Sequence, residues 1–277
     1  MNDATNGPVV LQALDVGQGE PVLLLHGLGS RSSDWELQLP ALREQYRVIV
    51  PDLRGHGGSP KPPGPYSLSA MAADVVALLG RLESGPVHVV GLSMGGMIGF
   101  QLAVDQPAWV RSLVAVNSTP DLVPRTPGER WQMARRRWLA RLAGPARTGR
   151  FLAPRLFPNP EQAALREMLV REWATNDKAA YVAALEACLG WSVLADVGAI
   201  RCPVLIISGD RDYLPLDAKR AYTALIPGAD LVVIADSGHA TPIDQAEQFN
   251  ELLLSFLARA RSAPSQPNPN HIMETTQ

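Results

Sequence analysis

Short, unbroken apolar runs recur along the chain, each ending at a turn signal. They lie at residues 21–25 (Pro-Val-Leu-Leu-Leu), 46–50 (Tyr-Arg-Val-Ile-Val), 113–116, 204–207 and 231–234. A sixth run, β-branched, Val87-His88-Val89-Val90, leads into a glycine. Runs of this length without polar alternation read as strands covered on both faces, as in a parallel sheet. Between them the period changes. Met71, Val75, Leu78, Leu79 and Leu82 recur at helical spacing behind a Ser67 or Ser69 cap, and Gly85-Pro86 closes that element. Strand and helix alternating in this way predict a doubly wound, mostly parallel α/β sheet. Residues 9–16, ending at Gly17-Gln18-Gly19, read as part of an antiparallel edge hairpin.

The alternation stops between residues 121 and 200. This stretch carries helical patterns, no strand pattern and four of the six tryptophans: Trp131, Trp138, Trp173 and Trp191. It holds 12 Lys+Arg against 8 Asp+Glu, while the rest of the chain has 13 against 19. A basic helical insert between two strands is expected to cap the carboxyl ends of the sheet, where such sheets bind ligands. The organisation read from the chain is therefore a core over 1–120, a helical cap over 121–200, and the rest of the core over 201–261. The Ser/Pro/Asn-rich stretch 262–277 reads as a disordered tail.

Composition narrows the class. With 277 residues and 46% hydrophobic positions, the chain can bury one large α/β core. A net charge of −2 gives no global reason to expect nucleic acid or a membrane surface as partner. Cys188 and Cys202 are too few for a disulfide framework and match no zinc spacing, so reduced thiols are expected. The first residues lack the basic and apolar regions of a signal peptide, and no apolar run reaches the roughly 18 residues of a membrane helix. A cytoplasmic protein is the expectation, with the oligomeric state left open.

Chemistry concentrates at Gly91-Leu92-Ser93-Met94-Gly95, between the run at 87–90 and a helical start. A strand that turns directly into a helix must kink, and flanking glycines let the two backbone arms pass closely. Ser93 is then pushed clear of the turn beside a helix N-terminus, which suits a nucleophile. A serine hydroxyl needs a base, and the base needs an orienting acid. Of five histidines, His239 in Ser237-Gly238-His239 follows the last predicted strand, at the sheet edge expected to carry Ser93. Asp210 and Asp212 follow the 204–207 strand, and the longer reach favours Asp212. Asp236 is too near His239 along the chain to orient it. The Met94 N–H and the Leu28 N–H, in His26-Gly27-Leu28-Gly29, are the candidate donors to an oxyanion. No His/Cys cluster or Gly-Lys-Ser/Thr loop points to a metal or a phosphate, so cofactor-free chemistry is expected.

These motifs resemble the α/β-hydrolase superfamily: Leu24-Leu25-His26-Gly27-Leu28-Gly29, Pro51-Asp52-Leu53-Arg54-Gly55-His56-Gly57-Gly58-Ser59, Gly91-Leu92-Ser93-Met94-Gly95-Gly96, Gly209-Asp210-Arg211-Asp212 and Ser237-Gly238-His239. The resemblance spans residues 9–260. In that family the acid usually lies three residues after the glycine ending its strand, which implies Asp212. A serine at the elbow differs from the aspartate of haloalkane dehalogenases and epoxide hydrolases. Leu92 and Ala240 depart from the carbon–carbon bond hydrolases of aromatic breakdown. The elbow and Gly64-Pro65-Tyr66-Ser67 are similar to 3-oxoadipate enol-lactonases and to cofactor-free perhydrolases and esterases, although Ala240-Thr241-Pro242 departs from the enol-lactonase pattern. The resemblance implies carboxylic-ester hydrolysis through an acyl-enzyme. Enol-lactone hydrolysis or carbon–carbon cleavage stands as the alternative, with a non-catalytic ligand-binding protein as a rival from another class. Trp131, Trp138 and Trp191 are expected to line an apolar pocket above Ser93 for a neutral ester. A cap guanidinium among Arg135, Arg136 and Arg137 holding a carboxylate is the competing expectation; consecutive helical residues cannot all face one site.

Overall fold

The computed structural model describes residues 7–261, so the stretch 262–277 lies outside the described residues. Seven strands form one sheet in the order β1-β3-β2-β4-β5-β6-β7: β1 (Ala13–Val16), β2 (Glu20–Leu25), β3 (Tyr46–Pro51), β4 (Val87–Leu92), β5 (Val110–Val116), β6 (Val204–Gly209) and β7 (Asp230–Ile234). All neighbours pair in parallel except β1, which runs antiparallel to β3 at the edge. The edge hairpin expected of residues 9–16 is thus corrected. β1 and β2 are consecutive in sequence but do not pair, because β3 lies between them.

The apolar runs sort by residue parity. Val22 and Leu24 of β2 join one core with Trp35, Phe249 and Leu253, while Leu23 and Leu25 join the other with Met71, Ile98 and Phe100. Both faces are dry, which is why alternation is absent from these strands. The helices supplying the two covers are α1 (Leu39–Leu42), α2 (Leu68–Arg81), α3 (Met94–Asp105), α4 (Pro127–Leu156), α5 (Ala163–Trp173), α6 (Lys178–Cys188), α7 (Leu216–Thr223), α8 (Thr241–Asp244) and α9 (Ala246–Arg261). Ser67 caps α2, its hydroxyl accepting from the Ala70 amide, a contribution of about 1 kcal/mol.

α4, α5 and α6 fall between β5 and β6, the interval without strand patterning. Thr126 and Glu129 form a reciprocal capping box at the start of α4, and the helix breaks at Gly144-Pro145, where Gly144 has φ 75°. Among the described residues no helix is long and apolar enough to cross a membrane, and no cluster of His, Cys, Asp and Glu could hold a metal ion. Cys188 and Cys202 are free thiols, pushed up to about 12 by burial.

Because β4, β6 and β7 are parallel, the loops leaving their carboxyl ends emerge at one edge of the sheet. Those loops carry Ser93, Asp212 and His239.

Candidate active site

β4 ends at Leu92 and α3 begins at Met94, which leaves a single residue to reverse the chain. Ser93 does so at φ 54°, ψ −114°. Such a backbone costs on the order of 1–3 kcal/mol and persists only when its surroundings enforce it. The enforcement is visible: a Cβ on Gly91 would collide with Gly95, and one on Gly95 would collide with the Leu25 carbonyl. The Ser93 amide donates to the Val116 carbonyl at 2.9 Å, and its carbonyl accepts from the Ser118 hydroxyl at 2.7 Å. Met94, as the first residue of α3, has an N–H with no acceptor inside the helix.

The loop after β2 brings Leu28 to the same cavity, whose volume is about 40 Å³ and which Ser93 and Met94 also line. Two buried histidines hold that loop. His26 accepts from the Leu53 amide at 3.0 Å through Nε2, and His56 accepts from the Gly29 amide at 3.2 Å through Nε2. Burial lowers His26 to about 4 and His56 to about 3, so both rings are neutral near pH 7. Their role is to position the loop.

His239 Nδ1 and Asp212 Oδ1 are 2.6 Å apart, both buried. Asp210 faces elsewhere, accepting from the Ser237 amide at 3.0 Å, and Asp236 pairs with Arg211. Burial pushes the Asp212 carboxyl up, but the charges and hydrogen bonds of His239 and then Lys219 hold it below the usual carboxylate range. Asp212 is therefore ionised beside His239.

Three groups at this site carried no signal in the sequence. Tyr213 stacks on His239 with ring centroids 4.3 Å apart, and its hydroxyl is 3.2 Å from His239 Nε2. Ser93 and Arg136 lie close to the same hydroxyl and line the same cavity, so Tyr213 sits between nucleophile candidate and base candidate. Lys219 is 1% exposed on α7 and donates to Asp212 Oδ2. Asn117, at the end of β5, donates to the Gly238 and His239 carbonyls at 3.1 and 2.8 Å and accepts from the Gly209 amide at 2.9 Å. A tyrosine after an acid, a lysine in a helix and an asparagine after a strand are individually commonplace; only contact distinguishes them.

The cap corrects one expectation. Trp131 and Trp138 are 69% and 62% exposed, and Trp191 donates its indole N–H to Gln101 at 2.6 Å. None of the three lines the cavity at Ser93 or the adjoining cleft of about 760 Å³. The reason is helical phase. Gln132, Met133, Arg135, Arg136 and Leu139 of α4 line the cleft, whereas Trp131 and Trp138, seven residues apart, share a face outside it; Trp191 lies beyond α4 and is held on Gln101. The consecutive arginines diverge as helix geometry requires. Arg137 pairs with Glu186 at 2.8 Å, and Arg135 lies over the Phe151 ring at 5.5 Å. Arg136 points to the Ser93 cavity and its Nε, among the described residues, has no partner.

With this geometry in hand, residues 22–252 match the model of the alpha/beta hydrolase family. A protein of Stutzerimonas stutzeri (strain A1501), named provisionally as the carbamate hydrolase RutD, is 32% identical over 87% of this chain and 94% of its own. The crystal structure of the enol-lactonase from Burkholderia xenovorans LB400 superposes with TM-score 0.83 at 27% identity, covering 90% of this chain and 96% of that one. A thermophilic esterase from Thermogutta terrifontis, described with malate bound, has TM-score 0.81 and 30% identity, covering 90% and 93%.

Proposed function

The chain belongs to the alpha/beta hydrolase family, and we propose that it cleaves carboxylic esters through an acyl-enzyme on Ser93. The observation that carries this reading is the pairing of Asp212 and His239 at 2.6 Å at the sheet edge where the strained elbow presents Ser93. A base oriented by a buried carboxylate can take the serine proton and hand it to the leaving alkoxide.

In the reaction, the Tyr213 hydroxyl gives up His239 Nε2 as substrate enters. His239 removes the Ser93 proton while Ser93 Oγ attacks the carbonyl carbon. The carbonyl electron pair moves to oxygen, where the Leu28 and Met94 amides stabilise it. Collapse of the tetrahedral adduct expels the alcohol, protonated by His239, and leaves the acyl-enzyme. Water activated by His239 repeats the sequence and releases the acid. No step draws on a metal or cofactor. Carbamates, enol-lactones and esters, the substrates in the relatives' names, all present a carbonyl to such an elbow.

A second reading concerns the substrate. The guanidinium of Arg136 lines the Ser93 cavity, and among the described residues no carboxylate pairs with it. An unneutralised cation there favours a substrate that carries its own carboxylate, such as an anionic ester or lactone. Neutral-ester binding by the three tryptophans loses its support, because Trp131 and Trp138 are exposed, Trp191 is held on Gln101, and none lines the cavity.

The test is labelling by a fluorophosphonate together with aryl-ester turnover. One label, on Ser93, and activity that disappears in Ser93→Ala are expected. Turnover that survives Ser93→Ala would refute the reading.

A further inference from the structure

Lys219 stands behind the acid, on the side away from His239. Its ammonium is buried, with three acceptors for three protons: Asp212 Oδ2, Ser208 Oγ at 2.7 Å and Asn117 Oδ1 at 3.1 Å. Asn117 in turn holds the His239 carbonyl. One cation thus ties the strand end below the acid, the acid itself and the residue that anchors the base. As a tie alone this is an expensive choice. A buried ion pair is often no more stabilising than apolar residues of the same volume. Burial draws the ammonium below the usual lysine range, with Asp212 opposing that shift.

Resting on the acyl-enzyme reading above, we infer that Lys219 is a positioning residue that sets the pH range in which His239 is free to act as base. Two consequences follow from its place. With Oδ2 occupied, the carboxylate presents only Oδ1 to the imidazole, which holds one ring orientation. With Lys219 charged, Asp212, Lys219 and a neutral His239 sum to zero, and a proton arriving on the imidazole makes the cluster positive. Without the ammonium, the same proton would neutralise a buried negative charge and would bind at higher pH. That sign holds whether the proton rests on His239 or on Asp212, since the two titrate as a pair.

The other groups facing this cluster do not mimic the effect. Tyr213 and Tyr222 are both raised by burial and stay neutral. Arg136 is a constant cation beyond Tyr213. Asp244 is engaged by the Gly238 amide and the Ser237 hydroxyl.

The experiment uses the full chain with Lys219→Gln, Lys219→Met and Lys219→Arg. It reads kcat/KM for 4-nitrophenyl acetate against pH, together with the imidazole NMR titration of His239. In both neutral variants the acid limb and the NMR midpoint should move to higher pH by about one unit. Lys219→Arg, which keeps the charge, should bring them back toward the wild-type position. Should Lys219→Met unfold, Lys219→Gln keeps a donor to Asp212 and carries the test. Neutral variants that fold as the wild type does, yet titrate at its pH, would overturn the inference and leave Lys219 a structural tie. If turnover requires Ser93, that outcome refutes Lys219 alone. If turnover does not require Ser93, the reading of the site fails instead, and the NMR titration still decides on Lys219.

Discussion

The loops at the sheet edge and the first half of α4 meet over Ser93, yet they are built on different terms. At the sheet edge nearly every polar group has a partner: Asp212 binds His239 and Lys219, Asn117 spans two loops, and His26 and His56 hold the loop bearing Leu28. On α4 the side facing the site presents Arg136, whose Nε has no partner among the described residues. Trp131 and Trp138 lie outside, Arg137 pairs with Glu186, and Arg135 lies over Phe151 in the wall of the adjoining cleft. A saturated network holds geometry, whereas a buried Nε with no partner among the described residues leaves one donor of Arg136 uncommitted. On the acyl-enzyme reading proposed above, the difference would leave the chemistry to the core and the choice of substrate to the insert.

The largest effect expected is on the core side. Ser93→Ala should lower kcat by about three orders of magnitude or more without altering the melting temperature, leaving only oxyanion and binding contributions. A variant retaining a tenth of the activity would break the assignment. Next, Asp212→Asn should cost about 10³–10⁴-fold in kcat by holding the wrong imidazole tautomer. Asp210→Asn, which loosens one loop contact to Ser237, should cost less than about tenfold. Steady-state kinetics on the two variants settle the ranking, and a reversal would mean the acid is misassigned.

The insert is tested through Arg136→Gln. Removing a hydrogen-bonded charge partner is worth about 2 kcal/mol, so kcat/KM for an ω-carboxylate aryl ester should fall about 30-fold. The neutral analogue should change little. Equal losses on both substrates would return Arg136 to a structural role. In the wild type, preference for the anion should fade as salt is raised.

A smaller effect is expected in stability against pH. His26, His56 and His88 are lowered, to about 4, 3 and 4, chiefly by burial. Each binds a proton in the unfolded chain near pH 6.5 but not in the folded one, so stability falls as pH drops below about 6.5. Asp34, pushed up to about 7 by burial, works with the opposite sign. The net slope should be about 2 kcal/mol per pH unit between roughly pH 6 and 4.5. Urea midpoints across that range measure it, and a flat profile would show that the loop bearing Leu28 does not depend on neutral histidines. Smallest of all, Trp131→Ala and Trp138→Ala should alter kcat/KM by less than about twofold. A tenfold loss would mean that α4 turns this face toward the substrate.

Periodicity was legible wherever it reported on a covered surface. The runs in β2, β3, β5 and β6 are apolar because both sheet faces are dry, whereas the edge strand β7 buries only Ile234 and leaves Val233 exposed; α2 shows its buried stripe behind Ser67. The elbow was equally readable, because a one-residue reversal between strand and helix demands glycine at 91 and 95, which brackets Ser93 as the residue at the turn. The same directness placed Asp212 and His239 at one sheet edge, since parallel strands deliver their following loops together. Pairing order was not readable from periodicity. β1 is adjacent to β2 in sequence, and only the position of β3 separates them.

What the sequence by itself determined, then, is what depends on neighbours along the chain: strand covering, helix caps and the turn at Ser93. Tertiary structure alone decided which face of α4 meets the cleft, since a helix with tryptophans and arginines on several sides has no single apolar stripe to orient it. It decided equally that Tyr213 stacks on His239 and that Lys219 neutralises Asp212. A charge on a short helix reads as solvated, and its meaning changes only when folding removes water and sets a carboxylate against it.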